Sequence, residues 1–192
     1  MWHLEVSIGQ QLLTAVYAND WQHPFSKQYP VATAKNGHGQ IEGSECTPLG
    51  RHRIAEKIGA DMPENTVFVG RQATGEIYTE ALAAEQGDRD WILTRILWLE
   101  GLEPGFNAGL FVEPRHKQQH KQQHKQQAAT NSMPCLGRNC DTKQRYIYIH
   151  GCPDSHVMQT PSSHGCIKMR NADIIELFAL LEENTPVVIN EL

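Results

Sequence analysis

The sequence predicts a mainly β fold of the sandwich or barrel-like kind, with one helix near the C-terminus. Short runs of alternating apolar residues recur along the chain, clusters of glycine, proline and asparagine separate them, and only one stretch has clear helical periodicity. Many short strands with such punctuation are typical of these sheet folds. With 192 residues and 40% hydrophobic content, the chain is expected to form a single domain over 1–192.

The first two strands carry the clearest hairpin signal. Leu4, Val6 and Ile8 alternate with polar residues, Gly9-Gln10 follows as a two-residue turn, and a second strand runs over Leu12–Tyr17. Further strands are predicted at 29–34, 52–58, 66–69, 91–99, 145–150 and 186–189. The segment 91–99 also fits a helix, because nine residues that are apolar all round do not define the period. We favour the strand.

The helix is predicted over about 171–183. Asn171 is expected to cap it, and Asp173 lies favourably in its first turn. Asn184 and Pro186 are expected to end it. A core-facing stripe recurs at helical spacing at Ile174, Leu177, Phe178 and Leu181.

Residues 113–139 interrupt the domain with a low-complexity insertion in which a His-Lys-Gln-Gln unit occurs three times. A stretch this polar cannot bury a face, so a solvated loop is expected. If it became helical, His116, His120 and His124 would align and could chelate a transition metal weakly. Because the usual supporting hydrogen-bond partners are missing, we favour the loop and expect no metal site and no cofactor.

The net charge and the N-terminal sequence argue against several classes of protein, namely nucleic-acid-binding, exported and membrane-spanning proteins. A net charge of −5 without a basic stripe argues against nucleic-acid binding. The N-terminus has no basic and apolar export pattern, which predicts a cytoplasmic protein; a longer native N-terminus would favour the periplasm. Arg95 and Glu176 interrupt the most apolar stretches, so no membrane span is expected. Five cysteines leave at least one thiol unpaired in a monomer, as in a reducing compartment or with a reactive cysteine.

Two residues in the C-terminal third carry the chemistry. His150 ends an alternating strand, and Cys166 follows a glycine about a dozen residues later. A nucleophilic thiol needs an imidazole nearby. His164 is only two residues from Cys166, which in an extended segment is about 6–7 Å, so His150 is the better base. The Gly151 carbonyl would fix its tautomer, and the N–H groups of Gly165 and Cys166 would form an oxyanion hole; such a set predicts acyl transfer.

Other interpretations of the cysteines remain. Each cysteine or histidine can simply be a packed core residue. A zinc cluster could draw on Cys135, Cys140 and Cys152 with nearby histidines, although no second tightly spaced pair follows. Cys152 could also form a disulfide with Cys166 and switch an enzyme off.

A family resemblance rests on two stretches of the chain. His150-Gly151, followed after an interval by Ser163-His164-Gly165-Cys166-Ile167-Lys168-Met169, resembles the catalytic signature of the L,D-transpeptidase (YkuD-type) domain. Thr47-Pro48-Leu49-Gly50 with Ile54 resembles an upstream segment of that family. The resemblance covers nearly the whole chain except the insertion. It implies a β-sandwich that holds a cysteine acyltransferase for peptidoglycan stem peptides.

The resemblance also implies roles for individual residues. Cys166 would be the nucleophile, His150 the general base and acid, and Gly151 the residue whose carbonyl orients the imidazole. Lys168 stands where arginine is usual. The oxyanion hole and site frame would comprise His164, Gly165 and Ser163, and the substrate would contact Lys168 and Arg170. Family members take a tetrapeptide donor, release its terminal D-alanine through a thioester and are acylated by carbapenems.

The absent export signal shapes the expected function. A cytosolic enzyme would meet soluble muropeptides and water rather than a polymeric acceptor, so L,D-carboxypeptidase activity in muropeptide recycling is expected. One alternative is a periplasmic L,D-transpeptidase that cross-links peptidoglycan. Another is a non-catalytic wall-binding or metal-binding module.

Overall fold

The computed structural model describes residues 1–18, 25–87, 89–112 and 135–192. All three His-Lys-Gln-Gln repeats of the predicted insertion lie outside these residues, as do the three histidines considered as metal ligands. The described elements are β1 (Trp2–Ser7), β2 (Leu12–Tyr17), β3 (Phe25–Pro30), β4 (Gly50–Ile58), β5 (Thr66–Val69), β6 (Gln72–Ile77), α1 (Glu80–Gln86), β7 (Ile92–Gly101), β8 (Tyr148–Gly151), β9 (Ile167–Met169), α2 (Asn171–Leu180) and β10 (Pro186–Asn190).

The mainly β fold is confirmed, and the ten strands belong to one curled sheet. The main path runs β3-β2-β1-β10-β4-β7-β5-β6, while β8 pairs with β7 and β9 pairs with β8. Most neighbours are antiparallel, but β1 with β10 and β8 with β9 are parallel. The ten-residue strand β7 therefore joins the main path to the two short strands β8 and β9 that carry the sequence signature.

The predicted strands agree with the structure best where apolar residues alternate regularly. The β1–β2 hairpin is confirmed, although its pairing stops at Ser7 and Leu12, so the turn has four residues rather than two. The segment 91–99 is part of β7, which confirms the strand over the helix. Three elements were not predicted: β6 is polar and exposed, α1 has seven residues and β9 has three, so none shows a sustained apolar pattern.

Two predicted strands are displaced. β8 begins at Tyr148 rather than at Arg145, because 142–146 form a turn in which Tyr146 has a φ of +56°. β3 ends at Pro30 instead of continuing to residue 34. Beyond it, Ala32 forms a single bridge to Lys168 and Ala34 one to Ser163. The chain after β3 thus runs beside the signature segment.

The prediction for α2 is confirmed for its buried stripe and wrong for its cap and end. Ile174, Leu177 and Phe178 are buried in the main core, but Arg170 is the N-cap, with no side-chain cap hydrogen bond. Asn171 is already part of the helix, and its side-chain amide forms hydrogen bonds with Thr94 and Asn65 in other parts of the fold. The helix ends at Leu180 because Lys57 Nζ from β4 donates to the carbonyls of residues 178 and 181, which satisfies backbone acceptors that a longer helix would use.

Neither described helix is long and apolar enough to cross a bilayer.

Candidate active site

Strand register places His150 and Cys166 on one face of the sheet. In the parallel β8–β9 pair, Ile149 lies opposite Ile167 and His150 opposite Lys168. Side chains alternate between faces along each strand, so His150 and Lys168 share one face, and Cys166, two residues before Lys168, shares it too. Ile149 and Ile167 belong to the main core on the other face with α2. The packed helix side of the sheet thus supports a face that presents the nucleophile and base.

His150 has one ring nitrogen anchored and the other without a partner. Its Nδ1 lies 2.9 Å from the Gly151 carbonyl oxygen, and because a carbonyl only accepts, Nδ1 carries the proton. Nε2 is buried and has no hydrogen-bond partner among the described residues. Burial lowers the pKa of His150 to about 4, although the bond to Gly151 opposes this shift. The imidazole is therefore neutral at pH 7, and Nε2 is a lone-pair acceptor.

Gly151 is a glycine because three groups crowd its Cα. A Cβ there would lie 2.5 Å from the Asn171 side-chain oxygen and 2.7 Å from the Leu93 carbonyl oxygen. Asn171 is held in place by the Thr94 hydroxyl, which donates to that oxygen at 2.5 Å. The start of α2 is thereby pressed against the residue that orients His150. This contact explains why Asn171 does not cap the helix.

Replacing Gly151 with alanine is expected to destabilise the protein by about 1–3 kcal/mol, because the extra methyl group must displace backbone as well as a held side chain. Urea unfolding measures this loss. Wild-type stability of the variant would contradict this account of the close packing around Gly151.

Cys166 is partly buried, and its sulfur contacts the backbone of the segment that leads into β8. The Tyr148 N–H donates to Sγ at 3.4 Å, and the thiol lies 3.5 Å from the Tyr146 carbonyl oxygen. Burial raises the pKa of Cys166 to about 12, an effect that the Tyr148 N–H only partly offsets. The resting pair is therefore a neutral thiol and a neutral imidazole rather than an ion pair.

A tight turn over residues 163–166 presents the sulfur. Ser163 Oγ donates to the Cys166 carbonyl oxygen at 2.5 Å and accepts from the Gly165 N–H at 3.2 Å. Gly165 has a φ of +135°, and a Cβ there would lie 2.9 Å from Ile147 Cδ1, so the turn requires glycine. The predicted oxyanion hole has two donors, the N–H groups of Gly165 and Cys166. Because the Gly165 N–H is bonded to Ser163 within the turn, the Cys166 N–H is the donor that remains available.

The upstream motif of the sequence supports this turn from the other side. Thr47 Oγ1 donates to the Gly165 carbonyl oxygen at 3.0 Å and accepts from the Ala34 N–H at 3.0 Å. Arg145 donates to the carbonyl oxygens of Gly39, Gln40 and Cys46 at 2.7–3.1 Å. Thr47 therefore ties the loop before β4 to the turn that carries Cys166, and Arg145 ties the same loop to the turn that leads into β8. Both are positioning roles.

Lys168 and His164 lie on a groove of about 470 Å³ beside the site, together with Arg89 and Asp90. Lys168 is 8% exposed, and its ammonium pairs with Asp90 at 3.1 Å. His164 is exposed, with Nδ1 3.9 Å from Asp90. Burial raises the pKa of Asp90, but the charges of Lys168 and His150 outweigh burial and hold it below its usual value. The cation of Lys168 is therefore already neutralised by an internal acid.

Asp90 is the site residue that the sequence analysis missed. It comes just before β7, and no local pattern marks it, since its partner Lys168 is 78 residues further along the chain. Arg170, predicted to bind substrate, is exposed at the N-cap of α2 and does not line the groove. The structure thus brings Lys168 to the site and leaves Arg170 at its margin.

A disulfide between Cys152 and Cys166, one of the alternatives that the sequence allows, does not fit the structure. Cys166 lies beside Tyr148, whereas Cys152 is four residues further along the chain, just past the end of β8, a separation of about 13 Å at 3.3 Å per residue. A disulfide requires Cα atoms about 4.4–6.8 Å apart. Cys152 is buried, its thiol donates to the Met169 carbonyl oxygen at 3.2 Å, and burial raises its pKa to about 12. It is a packed core residue.

The cysteines and histidines do not form a metal cluster in the part of the chain that the structure describes. No group of three or more His, Cys, Asp or Glu side chains is placed there to hold an ion. All five cysteines lie in the described ranges and are free thiols.

A family model of the L,D-transpeptidase catalytic domain, YkuD, matches residues 2–189. The chain is similar to solved structures of Bd1075 from Bdellovibrio bacteriovorus (16% identity, TM-score 0.49, covering 99% of this chain and 48% of that one) and of the L,D-transpeptidase from Xylanimonas cellulosilytica (13%, 0.47, 98% and 60%). It is also similar to L,D-transpeptidase 3 from Mycobacterium tuberculosis, solved with a faropenem-derived adduct (13%, 0.48, 99% and 60%).

The chain spans about half to three fifths of the length of these chains. The search of functionally curated proteins finds no match. Because the family model covers nearly all residues from β1 to β10, this chain belongs to the L,D-transpeptidase (YkuD) catalytic domain family.

Proposed function

We propose that this protein is a cysteine acyltransferase of peptidoglycan stem peptides that acts mainly as an L,D-carboxypeptidase on soluble muropeptides in the cytoplasm. One observation carries the proposal. The Nε2 atom of His150 is buried on the sheet face that carries Cys166, with no hydrogen-bond partner in the described part of the chain, while Nδ1 is anchored to Gly151. This is a base held in the tautomer that accepts a thiol proton.

The acylation step follows from these protonation states. His150 Nε2 takes the thiol proton while Sγ attacks the carbonyl carbon before the terminal D-alanine. The oxygen gains negative charge and accepts a hydrogen bond from the Cys166 N–H. The imidazolium then donates its proton to the nitrogen of D-alanine as the C–N bond breaks. The products of this step are a thioester on Cys166 and free D-alanine.

Deacylation reuses the same atoms. In the carboxypeptidase reaction, His150 Nε2 accepts a proton from water as its oxygen attacks the thioester carbon, and that proton returns to the departing sulfur. In cross-linking, the amine of a second stem peptide takes the place of water. The two reactions differ only in the acceptor, so the compartment decides between them.

Five free thiols, two of them fully buried, support the cytoplasmic assignment, since a reducing compartment preserves such thiols. The substrates available there are soluble, and water is the abundant acceptor. A periplasmic transpeptidase that cross-links peptidoglycan is the second candidate function.

Incubation with a soluble tetrapeptide is expected to yield tripeptide and free D-alanine, measured by mass spectrometry, with and without an added acceptor peptide. Cys166→Ala should lose the reaction, whereas Cys135→Ala, which removes another partly buried thiol, should keep it. Cross-linked dimers without tripeptide would contradict the carboxypeptidase proposal and favour the transpeptidase.

A carbapenem separates both enzymes from a non-catalytic wall-binding or metal-binding module. Intact-mass analysis should show one adduct per chain, located on Cys166 and absent from the Cys166→Ala variant. A protein that never forms this adduct would fit the non-catalytic module.

A further inference from the structure

Arg71, in the turn between β5 and β6, is held by three aromatic side chains. Its guanidinium carbon lies 4.4 Å from the ring centre of Trp98 and 4.9 Å from that of Tyr146. It donates to the Tyr148 hydroxyl at 3.1 Å. The rings of Trp98 and Tyr146 are themselves stacked, with centres 6.1 Å apart. A planar guanidinium stacked on such rings has a defined orientation.

Two cations contact the Trp98 ring, but only one has an acidic partner. Lys143 Nζ lies 4.9 Å from the ring centre and pairs with Glu56 at 2.9 Å. Arg71 forms no salt bridge within the described ranges, and its one side-chain hydrogen bond there is to Tyr148. A guanidinium has five N–H donors. Arg71 is only partly buried, so most of its donors are available to a ligand. Glu56, whose charge also acts on Arg71, is already paired with Lys143.

The tyrosines that hold Arg71 also contact the nucleophile. The Tyr148 N–H donates to Cys166 Sγ, and the Tyr146 carbonyl oxygen lies 3.5 Å from the same sulfur. The guanidinium is therefore one tyrosine side chain away from the reacting atom. One extended residue spans about 3.5 Å. A carboxylate one residue beyond the carbonyl that Cys166 attacks would be displaced from the sulfur by about this length, which is within the length of the tyrosine side chain that joins the sulfur to Arg71.

The groove beside Lys168, on the other side of Cys166 from Arg71, is not a favourable place for an anion. Lys168 is nearly buried there and is already paired with Asp90, whose carboxylate faces the groove. A second carboxylate in that groove would meet the carboxylate of Asp90 and two cations that are already paired, Lys168 with Asp90 and Arg89 with Glu76 at 3.0 Å. An anionic end of a substrate is therefore favoured on the Arg71 side, which places the carboxylate anchor away from the predicted Lys168 and Arg170.

We propose that Arg71, with Trp98, Tyr146 and Tyr148, forms a subsite for the free C-terminal carboxylate of the peptide that Cys166 cleaves. This inference rests on the proposed function and deepens it. A guanidinium can bind a carboxylate through two parallel N–H···O bonds, and flanking rings limit access of water and strengthen that pairing. The site then selects peptides that end one residue after the scissile carbonyl. Chains that are extended or amidated at that end lack the charge that Arg71 binds.

The test measures binding without turnover, in the Cys166→Ala protein. Isothermal titration calorimetry compares an L,D-tetrapeptide with a free C-terminal carboxylate and the same peptide with a C-terminal amide. The free acid is expected to bind about 10–100-fold more tightly, the range for a charge-assisted bond. Arg71→Met in that background should reduce binding of the acid to the level of the amide and leave binding of the amide unchanged.

Two further variants separate the guanidinium from general charge and packing. Arg71→Lys keeps the charge without the fork, so an intermediate preference is expected. Arg53→Met removes an arginine on β4 that pairs with Glu100 at 2.6 Å, and it should retain the full preference. Thermal unfolding of each variant establishes that the subsite is compared between folded proteins.

The outcomes are distinct. An unchanged preference for the acid in Arg71→Met would overturn the subsite, and so would failure of the Cys166→Ala protein to bind the acid more tightly than the amide. Failure of the proposed function would give another result. The Cys166→Ala protein would still bind the acid more tightly than the amide through Arg71, but the wild-type protein would release no D-alanine.

Discussion

Replacing His150 with glutamine is expected to slow acylation of Cys166 by a carbapenem by about 10²–10⁴-fold, the usual contribution of a positioned general base. The thiol of Cys166 has a pKa near 12, so at pH 7 very little thiolate exists without help from Nε2. Glutamine fills much of the space but cannot take up a proton. A mass-spectrometric time course of the adduct measures the rate.

The wild-type rate should rise as pH increases through about 4 and then remain level to neutral pH. His150 accepts a proton only when it is neutral, and burial places that form above a pH of about 4. An ion pair would instead give a bell-shaped profile in which the loss of imidazolium lowers the rate. His38→Gln, on a half-exposed histidine that faces Glu191, serves as the control. A His150→Gln rate within threefold of wild type would refute the assignment of the base.

Acid is expected to destabilise the fold well before most carboxylates titrate. His52 and His150 are almost completely buried, and burial lowers the pKa of each to about 4 from an unfolded value near 6.5. Between these values the unfolded chain binds more protons than the folded one, so stability falls as the pH falls. Each histidine should cost about 2–3 kcal/mol between pH 7 and pH 4.5.

Urea unfolding at several pH values measures this loss. His150→Gln should be destabilised at pH 7 but should lose less stability than wild type on acidification, since one of the two groups is gone. His52→Gln should also lose less stability than wild type on acidification. His52 lies away from the site, with its ring between the Gly50 carbonyl and the Thr142 hydroxyl. Equal acid sensitivity in wild type and both variants would contradict the assignment to these histidines.

Much of the candidate site could be predicted because its residues lie in short stretches of sequence with recognisable patterns. A histidine and a glycine at a strand end, and a cysteine after a glycine in a loop, are local patterns, and so is the stripe that buries Ile174 and Leu177. The resemblance to the L,D-transpeptidase family was visible in the same stretches, and the family model extends it to residues 2–189. Strand β7 was favoured over a helix, although its apolar residues do not define the period, and the structure confirms the strand.

The predictions that failed concern side chains whose partners lie far away in the chain. Asn171 has the residue type of a cap, but its side-chain oxygen accepts a hydrogen bond from Thr94 and lies against Gly151. In the same way, no local pattern indicates that Asp90 pairs with Lys168, whose contact with the substrate stays a prediction. Cys152 follows His150 closely in sequence but lies about four residues' length from Cys166. The reason is that the parallel pairing of β8 and β9 places Cys166 beside Tyr148.

The sequence by itself indicated the family and the mainly β class, and it predicted Cys166 as the nucleophile and His150 as the base. Only the tertiary structure decided the burial of these two side chains, the acid beside Lys168 and the place beside Trp98 of an arginine that forms no salt bridge within the described ranges. The physical reason is that strand register determines which side chains share a face, and burial determines which of them carry charge. Both depend on contacts between residues such as Arg71 and Tyr148 that are 77 positions apart.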